Sequence, residues 1–478
     1  MNLPIIRYIL GHIIKLEGLF LLLPFLVALL YRESTAYTYL SLAVAGFAIG
    51  FLLTRRKPEN TVFYLKEGCV TTALSWIALS LLGCLPFYFT GEIPSFTDAL
   101  FETVSGFTTT GASILSDVEA LSHSSLFWRS FTHWIGGMGV LVFLLAIIPL
   151  SGGSHINLLR AESPGPSVGK LVPKMKTTAR ILYLIYLAMT IIEILILFVS
   201  GMPLFDSVTL SFGTAGTGGF GVKNSSLADY TAFQQWVVTI FMILFGINFN
   251  AYYLLLFKSI RQAFKIEEVR WYLAIIAAST GVIFLEILDT MENGFQALTH
   301  AAFQVASIIT TTGYSTLDFN AWSSVCKVVL VLLMFIGACA GSTGGGIKVS
   351  RILILFKAIR AELTSYIHPK SIRRIKMDDK PLEDAMIHSV NVYIATFVIL
   401  FTASVFVISF DGHDLITNFT AVAATINNIG PGLELVGPAS NFGFFSPLSK
   451  YVMIFDMLAG RLELFPLLLL FHPRVWKA

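Results

Sequence analysis

Charge is scarce in this chain. Asp, Glu, Lys and Arg make up 13% of its 478 residues, about half the share of an ordinary soluble domain. That excludes a water-soluble globular fold. Cysteine is scarcer still: Cys69, Cys84, Cys326 and Cys339 stand alone in or beside apolar runs, with neither metal-site nor redox spacing, and read as small packing residues. The nine histidines form no ligand cluster, and no nucleophile stands beside a base. The chain therefore reads as a non-enzyme without a covalent cofactor. Gly216-Thr217-Gly218-Gly219-Phe220-Gly221 matches a dinucleotide fingerprint literally, but no strand precedes it, and Ile347 breaks the register of a phosphate loop before Lys348.

Apolar length is abundant. Hydrophobic residues make up 55% of the chain and mean hydropathy is +0.76. Runs of about 20 apolar residues recur, long enough to cross a bilayer. The predicted spans are 8–31, 37–54, 67–90, 125–149, 179–200, 233–257, 271–291, 322–362 (interrupted), 386–410 and 448–471. The first resembles a signal peptide behind Arg7 and Lys15, but no cleavage site follows, so it reads as a retained helix. Both termini fall on one side, with most of the 32 Lys and Arg, including Arg55-Arg56-Lys57, Lys258, Arg261 and Arg373-Arg374. The positive-inside rule makes that side cytoplasmic. On the other side Glu92, Asp98, Glu102, Asp117, Glu119, Asp206, Asp229, Asp318, Asp411, Asp414 and Glu434 predict an acidic mouth that gathers cations.

One fragment occurs twice: Thr109-Thr110-Gly111 and Thr311-Thr312-Gly313. Looser versions occupy Thr217-Gly218 and Asn428-Ile429-Gly430. Each follows an apolar stretch too short to cross and precedes a longer one. The unit of span, short re-entrant helix, Gly loop and span repeats four times, and the glycines that superpose are predicted to be Gly111, Gly218, Gly313 and Gly430. The expected divisions are 1–66, a two-helix unit, and pore repeats at 67–178, 179–270, 271–385 and 386–478. Irregular backbone at mid-membrane depth is tolerated where it lines a water-filled path or is buried in protein. Carbonyl rings there can replace the hydration shell of K⁺. Glycine permits alternating φ, and threonine adds a hydroxyl and a stiff wall.

Two further features bear on the path. Gly337 to Gly346 places glycines in the second span of the third repeat, and each costs up to about 1 kcal/mol in a helix. Gly341, Ser342, Thr343, Gly344, Gly345 and Gly346 are the expected gate loop. Arg461 lies midway along the last span, where a charge is a functional candidate, either facing the pore or paired with Glu463, Asp456 or Glu193.

FETVSGFTTTGAS, TTTGYSTLDFNAW, GACAGSTGGGIKVSR, NNIGPGLELVGP and AGRLELFPLLLLF resemble the TrkH branch of the Trk/Ktr/HKT superfamily of K⁺ transporters over the whole chain. The resemblance implies an all-α polytopic membrane protein with four M1-pore-M2 repeats around one pseudo-four-fold pore, plus two N-terminal helices. It also implies K⁺ in the filter, a homodimer and a cytosolic TrkA-type nucleotide-binding ring in a bacterial inner membrane. Basic loops at 160–180, 258–270 and 370–380 suit such a partner. A K⁺/H⁺ or K⁺/Na⁺ symporter is the alternative, which needs an acid in the path; Glu193, Glu286 and Asp456 are the candidates. A membrane sensor that transports nothing is a third reading, but it has no need of four filter loops.

Overall fold

The structure, a computed structural model, describes residues 1–60, 64–139, 175–257, 265–368 and 374–476. The predicted span end at 140–149 and the basic segments 160–174, 258–264 and 370–373 lie outside the described residues. Those described are overwhelmingly helical; the only strands among them are Lys376–Met377 and Lys380–Pro381, a short antiparallel hairpin. Among the described residues, six helices are long and apolar enough to cross a membrane: Leu3–Tyr31, Ala36–Thr54, Leu65–Thr90, Arg180–Val199, Glu267–Thr290 and Asp384–Asp411. They agree with the predicted odd-numbered spans and with the second.

The first two form a pair outside the repeats. Gly11 and Gly18 lie seven residues apart on one face of the first helix. Gly46 and Gly50 lie four apart on the second. A Cβ at Gly18 would lie 2.8 Å from the Phe47 nitrogen and 2.9 Å from the Ala43 oxygen, and one at Gly50 would lie 2.7 Å from the Lys15 nitrogen. Lipid offers no hydrophobic drive between helices, so close backbone approach through small residues supplies the packing.

Each repeat then contributes a crossing helix, a short buried helix and a second helix. The short helices are Phe96–Phe107, Leu204–Gly216, Gly294–Ile309 and Leu415–Ile426. Ser95, Asn293 and Asp414 cap three of them by accepting the N–H of Asp98, Gln296 and Thr417. Hydrogen bonds from the Thr417 hydroxyl and N–H hold the Asp414 carboxyl below the usual carboxylate range. Towards their C-terminal ends these helices are buried on every side, as expected of helices enclosed by protein.

The second helices differ from expectation. Only the third was predicted to be interrupted, yet all four stop early: His123–Gly137, Ala232–Phe245, Ser324–Ile336 and Pro447–Arg461. At about 1.5 Å per residue none reaches across a 30 Å hydrocarbon core. The second bends by 92° before Phe249–Leu256. The last resumes at Phe465 after two left-handed residues, Glu463 (φ 59°) and Leu464 (φ 64°). The cause lies at the level of the short-helix ends. There Gly136 faces the Phe107 carbonyl and Gly460 the Ile426 carbonyl, each so closely that a Cβ would overlap the oxygen. The chain has no room there for a continuing helix with side chains.

Gly18→Leu and Gly50→Leu should each destabilise the protein by about 1–3 kcal/mol through overpacking. Thermal unfolding in detergent, followed by tryptophan fluorescence, checks this.

Candidate functional site: a four-stranded filter and the loop beneath it

Each short helix runs on into a three-residue segment of the same geometry, a strand of the ring that belongs to no β-sheet. The amides of Thr109, Thr217, Thr311 and Asn428 donate to Gly106, Thr214, Ile308 and Thr425; those of Thr110, Gly218, Thr312 and Ile429 donate to Ser105, Gly213, Ser307 and Ala424. The first residue of each strand is left-handed: Thr109 φ 55°, Thr217 55°, Thr311 59° and Asn428 56°. A β-branched residue there is a genuine outlier, strained by about 1–3 kcal/mol, whereas asparagine tolerates the conformation. The third residue is also left-handed: Gly111 φ 80°, Gly219 81°, Gly313 85° and Gly430 103°. The middle residue is not, so handedness alternates and successive carbonyls turn to one side.

This equivalence corrects the predicted superposition. Gly219, not Gly218, corresponds to Gly111, Gly313 and Gly430; Gly218 corresponds to Thr110. The run Gly216 to Gly219 gave the sequence two glycines to choose between, and only the backbone angles separate them.

The four strands close a ring. A Cβ at Gly111 would overlap the Gly218 oxygen, one at Gly219 the Thr312 oxygen and one at Gly313 the Ile429 oxygen. A Cβ at Gly430 would lie 2.9 Å from the Thr110 oxygen. The carbonyls of Thr110, Gly218, Thr312 and Ile429 thus sit at one level, each against the glycine of the preceding strand. The first and third strands are braced by their own hydroxyls, Thr108 to Thr110 at 2.8 Å and Thr310 to Thr312 at 2.7 Å. Asn428 Nδ2 links the fourth strand to Thr110 Oγ1 and the Met457 carbonyl, both at 2.9 Å.

Above the ring lies a cavity of about 170 Å³ that all four glycines line. Its lining includes Arg129 and Lys223 but no carboxylate. None of the acids of the predicted mouth lines this chamber, and five of them are engaged nearby. Glu102 is fully buried, 2.6 Å from Arg129 Nε, and accepts from Ser113 Oγ and the Ile114 N–H. Asp98 pairs with Lys450 at 2.6 Å and Glu434 with Lys327 at 3.7 Å. Glu92 accepts from Ser122 and Ser125, and Asp206 from Tyr230.

Below the ring runs the Gly-rich segment, non-helical between Ile336 and Val349. It lies across the third and fourth strands. Gly345 N–H donates to Thr311 Oγ1 at 2.6 Å and Gly346 N–H to the Asn427 carbonyl at 3.0 Å. A Cβ at Gly344 would stand 2.9 Å from the Thr310 oxygen, so the consecutive glycines are required for backbone to lie against backbone. Cys339 N–H donates to the Gly246 carbonyl, Phe249 N–H to the Gly341 carbonyl, and Ser342 Oγ to Cys339.

Three charged side chains hold this loop. Arg461 donates to the Thr343 carbonyl at 2.9 Å and to the carbonyls of Gly136 and Gly137. It thereby ties the loop to the end of the first repeat's second helix. Of its suggested acid partners, Glu463 instead pairs with Arg351, and Asp456 accepts from Ser404 Oγ. Lys348 Nζ donates to the carbonyls of Gly344 and Gly345. Glu268 Oε1 accepts from the Ala340 and Ser350 amides at 2.7 and 3.0 Å, clasping both ends of the break. The sequence reading passed over Glu268 and Lys348. An acid in the first turn of a crossing helix and a lysine directly after three glycines were the available signals.

The fold and this site define a polytopic helical membrane protein with a pseudo-four-fold ring of backbone carbonyls on its axis. The TrkH family profile, described as a cation transport protein, matches residues 39–477. The Trk system potassium uptake protein TrkH of Salmonella typhimurium is 36% identical, and the TrkG protein of Escherichia coli 32% identical; the alignments cover 100% of this chain and 100% and 99% of those proteins. The crystal structure of the potassium transporter TrkH from Vibrio parahaemolyticus superposes with a TM-score of 0.90 at 32% identity, covering both chains fully. The chain belongs to the TrkH family.

Because Glu102 and Arg129 are buried together, Arg129→Met should cost about 3–5 kcal/mol by leaving a lone buried carboxylate. Adding Glu102→Leu should recover part of that loss, as read from thermal unfolding of the single and double variants.

Proposed function

We propose that this chain is a K⁺-selective, channel-like uptake protein that moves K⁺ into the cytoplasm down its electrochemical gradient. One observation carries the reading: four strands of matched handedness close a ring in which each carbonyl rests on the glycine of the preceding strand. A bare cation entering it would exchange water oxygens for peptide oxygens. The membrane potential supplies about 2.3 kcal/mol per charge per 100 mV, enough to drive uptake without a coupled ion. The names of the family's potassium uptake proteins agree with this.

The loop Gly337–Gly346 is the gate in this reading, and Arg461 its latch. The loop blocks the lower side of the ring, while the guanidinium adds a positive charge close to the path. Opening requires the hydrogen bonds of Gly345, Gly346 and Arg461 to be exchanged, which a TrkA-type nucleotide-binding ring on the cytosolic face would govern. A homodimer in a bacterial inner membrane, with both termini cytoplasmic, completes the assignment; the basic side of the chain and the family resemblance support it. Coupled symport lacks an acid in the chamber above the ring: Glu193, Glu286 and Asp456 do not line it.

Current through purified protein in liposomes, with and without a pH gradient, tests the reading. The reversal potential should follow the K⁺ gradient alone; a shift with pH or Na⁺ would replace the channel with a symporter. Gly219→Ser and Gly313→Ser should each reduce K⁺/Na⁺ discrimination about tenfold, from strain at a left-handed position. Arg461→Ala should raise K⁺ flux roughly tenfold by removing charge-assisted hydrogen bonds that hold the loop, and unchanged flux would remove the latch.

A further inference from the structure

The second filter strand carries glycine where its counterparts carry threonine. Gly216 and Gly218 occupy the positions of Thr108 and Thr110 in the first repeat and of Thr310 and Thr312 in the third. Those threonine pairs brace their own strands through hydroxyl contacts. The second strand has no side chain at either position.

His133, from the second helix of the first repeat, fills the space. It is completely buried, and a Cβ on Gly218 would overlap its ring. Nδ1 lies 2.8 Å from the Gly106 carbonyl, and Nε2 lies 3.3 Å from the Phe220 amide nitrogen. A carbonyl only accepts and an amide N–H only donates, so the partners assign one proton to Nδ1 and a lone pair to Nε2. The ring also packs on Phe220 with centroids 4.2 Å apart. One side chain thus joins the end of the first short helix to the residue directly after Gly219.

We propose that His133 is the positioning residue that sets the geometry of the second filter strand, and with it the cation selectivity of the ring. The imidazole does for that strand what the threonine pairs do for the first and third. The inference rests on the K⁺-filter reading above. It adds a determinant that lies outside the filter strands and comes from a neighbouring repeat.

The test is the K⁺/Na⁺ permeability ratio of the full chain in liposomes. His133→Gln can donate to Gly106 and accept from Phe220, and should keep the ratio within about twofold of the unaltered protein. His133→Leu fills similar volume without either bond and should lower the ratio roughly tenfold while K⁺ still passes. A His133→Leu protein with unaltered selectivity overturns the inference alone. An unaltered chain that passes no K⁺ overturns the transport reading and the inference with it. If His133→Leu does not fold, a double-mutant cycle decides. Gly218→Ala should impair selectivity beside His133 and add nothing in a His133→Ala background, whereas additive effects overturn the proposal.

Discussion

Backbone touching backbone is the constraint on which the rest of the structure depends. At the ring, a peptide oxygen of one strand fills the place where the preceding strand's side chain would begin. The same contact recurs below it, where Gly136 and Gly460 meet the carbonyl ends of the short helices and Gly344 meets Thr310. Interiors are close-packed and transmit strain, so these contacts leave little slack. The shortness of the four second helices, the left-handed threonines and the run of glycines in the loop are separate local costs of one arrangement. They are offset by the burial of the short helices, whose C-terminal ends are enclosed by protein.

Charge is handled in the same economical way. Few charged groups enter the interior, and those around the ring and the loop are partnered. Glu102 meets Arg129, Arg351 meets Glu463, and Lys348 and Arg461 meet carbonyls of the loop and its neighbours. The loop is therefore held largely by polar contacts to its own carbonyls and amides, whereas in the ring such contacts are joined by close backbone packing between strands. A loop of this kind can move without dismantling the strands above it, which suits a gate under a filter.

Much of the architecture was legible in the sequence. Apolar length revealed the crossing helices, and the doubled Thr-Thr-Gly fragment revealed the repeat, because both signals are local. The register of the second strand was not legible, since Gly218 and Gly219 are chemically identical and only φ tells them apart. The early stops of the second helices were hidden for a related reason. Ala232–Phe245 and its continuation read as one predominantly apolar stretch, and the bend at Gly246 answers to Tyr272 and Thr310, both remote in sequence. Residue type alone did not reveal that no carboxylate lines the chamber, or that Glu102 and Asp98 are already matched by Arg129 and Lys450.

The bracing of the four strands has a mechanical consequence. The threonine clamps belong to the first and third strands, which face each other across the axis. The second has the His133 ring, from a helix of the first repeat, packed against it, and the fourth is tied by its own Asn428 to Thr110 and Met457. The ring is thus braced from within its strands along one diagonal and by contacts with other elements along the other. The helices that carry His133 and Met457 therefore have a direct line to the second and fourth strands.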